Sequence, residues 1–121
     1  MILKGIRGAT SADENSRDEI LSKTKELLLE MAEKNAFEKD NIASIFLTMT
    51  EDLDAEFPAV SARQIGWTDV PLLCAREIMV KDSLKKCIRV LIHYNTDKQF
   101  KAEHVYLHNA KTLRPDLNNK D

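Results

Sequence analysis

Charge of one sign is what this chain most clearly lacks. Its 121 residues hold 18 Lys and Arg against 20 Asp and Glu, for a formal net charge of -2 and a pI near 5.9. A nucleic-acid partner calls for a basic face, and so balanced a chain offers none. Lys and Arg are also scattered, which argues against a basic membrane-surface patch. The N-terminal apolar stretch, residues 1–3, is too short for a signal peptide or an anchor. Cysteine is scarce: Cys74 and Cys87 each sit in an apolar, strand-like run, and are expected as free buried thiols in a reducing cytoplasm. Repeats and low-complexity tracts are absent. What remains is 43% hydrophobic and 31% charged, an ordinary soluble composition in a length that suits one domain with one core.

The organising stretch is Lys85-Lys86-Cys87-Ile88-Arg89-Val90-Leu91-Ile92-His93. A short run rich in β-branched residues reads as a strand buried on at least one face. Alternation puts Ile88, Val90 and Ile92 on one side and Cys87, Arg89 and Leu91 on the other. The first face can pack on helices. Arg89 has two readings: a structural Arg, solvated or tied to a carboxylate such as Glu77, or an Arg aimed into a cavity to hold an anionic or oxygen-rich ligand.

Residues 1–10 alternate as a strand with a second Arg, Arg7, flanked by Gly5 and Gly8, where close backbone approach is possible. Ser16 and Glu19 predict a capping box opening a helix that fades near Asn35. Its apolar stripe is Ile20, Thr24, Leu27, Leu28 and Met31. Residues 42–48 read as a second strand. The acidic run 50–57 fits no metal-loop spacing and is expected as a connector. Pro58 opens a short helix that Gly66 ends, with Trp67 as a packing anchor beyond it. Residues 70–80 read as a third strand, forming a hairpin with the Arg89 strand through a turn at Asp82 and Ser83. Strand character returns at 104–107, before Leu113-Arg114-Pro115-Asp116-Leu117 leads to a polar tail. The expected fold is α+β, a mixed β-sheet with one long and one short helix. One long helix covers one sheet face, so the apolar content of the other, Leu3 and Leu91 included, points to a second subunit.

Seven blocks then align with one family. They are Gly5-Ile6-Arg7-Gly8-Ala9-Thr10, Phe57-Pro58-Ala59 with Arg63, Val70-Pro71, Cys74 with Glu77, Cys87-Ile88-Arg89-Val90, His104-Val105-Tyr106-Leu107 and Leu113-Arg114-Pro115-Asp116-Leu117. In order and spacing the chain resembles the monofunctional chorismate mutases of the Bacillus type, from Gly5 to Leu117. The resemblance implies a single domain over 1–117 with a tail at 118–121, and a homotrimeric pseudo-barrel with active sites at the subunit interfaces. It implies the Claisen rearrangement of chorismate to prephenate, in phenylalanine and tyrosine biosynthesis, without cofactor or metal. Carried over by position, Arg89 would hold the ether oxygen and a carboxylate, Arg7 a carboxylate, and Tyr106 the enolpyruvyl carboxylate. Glu77, with the backbone at Cys74, would take the ring hydroxyl. Cys74 and Glu77 point to opposite faces of a regular strand, so either a bulge intervenes or Cys74 acts through its backbone. Phe57, Ala59, Arg63, Leu113 and Arg114 would line the neighbouring subunit's wall and mouth, and Leu73 would be a further substrate-binding residue. Val60 stands where relatives often carry Lys, Leu73 where some have Thr, and Glu103 where Arg is common.

The chemistry agrees with the residues. A dianion asks for several arginines, and a unimolecular pericyclic reaction asks for a held conformer and a cation at the breaking ether oxygen. His104 and His108 lie four apart, but in a strand and without a third ligand, so no metal is expected. Cys74 has no base in view for nucleophilic work, and His93 reads as structural. Competing readings are a trimer that binds a small carboxylate without turnover and an enamine/imine deaminase-like enzyme. Both also use an interfacial Arg, and the company of Glu77, Tyr106 and Arg7 favours the mutase.

Overall fold

A computed structural model describes residues 1–97 and 99–114. The chain runs β1 (Ile2–Ser11), α1 (Arg17–Asn35), β2 (Ile42–Met49), α2 (Ala59–Gln64), β3 (Leu72–Arg76), β4 (Cys87–Thr96) and β5 (Val105–Tyr106), with 3-10 turns at Lys39–Asn41 and His108–Leu113. This is the expected α+β class, one mixed sheet with one long and one short helix. Pro115, Asp116, Leu117 and the tail at 118–121 lie outside the described residues.

The strands stand in the order β3-β2-β4-β1-β5. β4 is central and antiparallel to both β1 and β2, whereas β2–β3 and β1–β5 are parallel. Two expectations need correcting. The third strand ends at Arg76 rather than Val80, and it forms no hairpin with β4. After the Glu77 N–H bonds the Met49 carbonyl at 2.9 Å, the chain leaves the sheet. Ile78, Met79 and Val80 are exposed, and Asp82 and Lys86 take positive φ. β4 therefore enters on the far side of β2. Asp52 fixes that entry, its two carboxylate oxygens accepting from the Lys86 N–H at 3.1 and 3.0 Å.

Both helices lie on one face. Leu27, Leu28 and Met31 of α1 and Ala59 and Ala62 of α2 share a core with Ile6, Ile45, Leu47, Val90 and Ile92, and Trp67 anchors it as expected. Gly8 is where α1 comes closest: a Cβ there would sit 2.4 Å from Met31 Sδ and 3.1 Å from Leu27 Cδ1. Ser16 caps α1, its hydroxyl accepting from the Glu19 N–H at 3.1 Å. The second arm of the expected capping box goes elsewhere, because the Glu19 carboxylate accepts from the Asp13 N–H at 2.7 Å. The acidic run is more than a connector: Asp54 bonds Asn15, and Glu56 pairs with Arg17 at 2.8 Å.

Candidate active site

Cross-strand register determines which side chains share the face turned away from the helices. Arg7 lies opposite Leu91 and Ala9 opposite Arg89, while on the other flank Phe46 lies opposite Leu91 and Thr48 opposite Arg89. Paired residues share a face, and diagonal neighbours such as Arg7 and Arg89 stand ~7–8 Å apart at Cα. Arg7, Arg89, Phe46 and Thr48, with Glu77 and Tyr106, line one groove of about 270 Å³. Two guanidinium groups facing one cleft suit a small polyanion by charge and hydrogen-bonding geometry.

Glu77 sits just past the end of β3 and reaches back over this face. Thr48 Oγ1 donates to its Oε2, and Arg89 Nε lies 3.5 Å from its Oε1. The Arg89 side chain is 48% exposed in the isolated chain and that of Glu77 18%, so Arg89 is both tied to Glu77 and open to solvent. Tyr106 is buried beside Ala9 and Ala110, with Leu113 packed against that cluster. Arg7 has an exposed side chain, and its backbone N–H donates to His104 Nδ1 at 2.9 Å. His108 instead meets Glu26 at 2.7 Å, so the two histidines serve different partners. Among the described residues, no group of three His, Cys, Asp or Glu side chains could hold a metal ion.

The other expected site residues do not line this groove within one chain. Cys74 lies opposite Leu47 on the helix side and packs against the main core, so it can reach the open face only through its backbone; the side chains of Cys74 and Glu77 do point apart. Ala59 is likewise buried in that core. Phe57 is exposed beside α2 and Leu73 on edge strand β3, Arg63 is exposed on α2, and Arg114 is half-buried after the last 3-10 turn. Phe46 and Thr48 line the groove without having been expected there, as do Gly8, Ala9, Val90 and Leu91. Period-two alternation along β2 was the available signal for the first two. Cys87 sits at the base of the Arg89 strand, where burial pushes its thiol up, partly offset by Arg89.

Fold and groove define a class first: an α+β protein with an arginine-lined groove on an open sheet face. Comparison with known proteins narrows it. The family described as chorismate mutase type I matches residues 3–117, and the chain belongs to that family of isomerases. Chorismate mutase AroH of Thermus thermophilus is 48% identical over 118 residues, covering 96% of this chain and 97% of that protein. Chorismate mutase AroH of Bacillus subtilis is 44% identical over 119 residues, covering 97% and 94%. A solved chorismate mutase from Clostridium thermocellum superposes with a TM-score of 0.85 at 54% identity, covering 90% of this chain and 98% of that one.

Proposed function

We propose that the groove between Arg7, Arg89, Glu77 and Tyr106 is where chorismate rearranges to prephenate. The observation that carries this reading is the convergence of those four side chains from β1, β4, the end of β3 and β5 on one cleft. Chorismate is a dianion whose ether C–O bond breaks as a C–C bond forms, with no proton to move. Arg89 faces the ether oxygen and one carboxylate, Arg7 a carboxylate, and Tyr106 the enolpyruvyl carboxylate. Glu77 accepts from the ring hydroxyl, assisted by the backbone at Cys74. Catalysis is then restraint of a compact chair-like conformer plus a fixed cation at the oxygen that gains charge.

A cation stabilises such an oxygen best where water is excluded, yet Arg89 is half exposed here. The same open face carries Leu3, Phe46 and Leu73, all exposed, and exposed apolar side chains on an uncovered sheet face suit an interface. We therefore assign the working form to a homotrimer in which Phe57, Arg63, Leu113 and Arg114 of a neighbouring copy close the cleft, with Ala59 buried behind them. Free Cys74 and Cys87 suit a cytoplasmic setting, and no described helix is long and apolar enough to cross a membrane.

The direct test is incubation with chorismate, following loss of its ultraviolet absorbance and formation of prephenate; an unchanged spectrum would remove the assignment. Light scattering should give about three times 13.8 kDa at micromolar concentration. A stable, active monomer would sink the interfacial site.

A further inference from the structure

We propose that Thr48 is a positioning residue for this reaction, dividing the Glu77 carboxylate so that Arg89 stays available to substrate. The inference rests on reading the groove as the chorismate site. Thr48 is on β2, bonded on one side to β4 and on the other to β3, opposite Arg89 and Ala75. Its side chain lines the groove, and its hydroxyl donates to Glu77 Oε2. The other oxygen, Oε1, is the one near Arg89, 3.5 Å from Nε. One carboxylate thus has two separate partners, a hydroxyl for one oxygen and a guanidinium for the other.

Glu77 needs this second tether. Its backbone bond to Met49 is followed by the exposed residues Ile78, Met79 and Val80, and a glutamate side chain beside such a segment has several rotamers to choose from. Left to itself, a carboxylate beside an arginine tends to close into a two-bonded fork. That fork would occupy a terminal nitrogen of Arg89 and cancel much of the charge the ether oxygen needs. Thr48, β-branched and rotationally stiff, holds Oε2 on β2 and confines the contact to Nε. The terminal nitrogens then remain for the anionic substrate.

Thr48→Val removes the donor while nearly keeping the shape. It should lower kcat/KM roughly tenfold, mainly through kcat, as expected for a small misplacement of reacting groups. Thr48→Ser, which restores the hydroxyl, should return activity to within about threefold of the parent. If Thr48 acts through Glu77, adding Thr48→Val to Glu77→Ala should cost less than about twofold more. The proposal is overturned if Thr48→Val stays within about twofold of the parent, if Thr48→Ser is no better than Thr48→Val, or if the two losses multiply. A parent protein that leaves chorismate untouched would defeat the site assignment itself. An active parent with an indifferent Thr48→Val defeats the role of Thr48 alone.

Discussion

The two faces of the sheet are built to opposite rules. On the helix side, Ile6, Ile45, Leu47, Val90 and Ile92 meet Leu27, Leu28 and Met31 in a closed apolar core. On the other, Arg7 and Arg89 stand in a groove among Phe46, Leu91 and Tyr106, with charged and apolar side chains alike reaching solvent. The same five strands supply both, one residue apart along each strand. The closed apolar core lies on one face, and the proposed chemistry lies on the face that α1 and α2 leave uncovered. A substitution should therefore register as lost folding on one side and lost turnover on the other.

The largest effect should come from the closed face. Leu28 is fully buried, and Leu28→Ala removes side-chain volume that a packed core cannot recover, at about 2–5 kcal/mol of unfolding free energy. Urea denaturation measures this, and kcat should hold at temperatures where the variant is folded.

Arg89 tests the open face from the other direction. Citrulline at position 89 keeps the planar shape and removes the charge. It should reduce kcat by at least ~10²-fold, or about 3 kcal/mol, with the denaturation midpoint little changed because the side chain is half exposed. If restraint of the conformer dominated instead, KM would rise and kcat would stay within about tenfold.

Gly8 sharpens the contrast because it belongs to both faces, its backbone lining the groove and its missing side chain admitting α1. In Gly8→Ala the new methyl group would meet Met31 Sδ at 2.4 Å, and Met31 is fully buried. The overpacking should cost about 1–3 kcal/mol, read as a lower Tm.

The smallest effect lies away from either face. The Phe57 backbone N–H and then Arg17 hold the Glu56 carboxyl below its ordinary value. A depressed value contributes stability above the unfolded value of 4.5, and that contribution is lost as pH falls through the folded value. Glu56→Gln should thus slightly lower the urea midpoint at pH 6, and the difference should shrink as pH falls below 4.5.

Alternation along β4 made Arg89 legible, since a charged residue among β-branched neighbours breaks a local rule, whereas Arg7, between Ile6 and Gly8, took its expected role from the family resemblance. The helix stripe and the Ser16 cap were legible because both are local. The β3–β4 hairpin was not, because pairing depends on where the 77–86 segment goes. Asp52 on the Lys86 N–H is a contact across 34 positions that no periodicity announces. Thr48 escaped because a threonine in a strand is already well accounted for by β propensity. Only its register with Arg89 sets it apart.

The central place of β4 also bears on how the chain folds. Its neighbours are β1 and β2, and of the four adjacent strand pairs only β2–β3 joins consecutive strands. A nascent chain that has reached Gln64 owns both helices and two long strands, but the strand that must lie between them has yet to be synthesised. Such non-local pairing is slow to close and leaves strand edges unpaired meanwhile. Glu77 and Arg89, twelve positions apart, cannot meet until β4 has docked beside β2. The Glu77–Arg89 pair thus requires β4 to be in place, and regained turnover in a refolding experiment would report that insertion together with the assembly that closes the cleft.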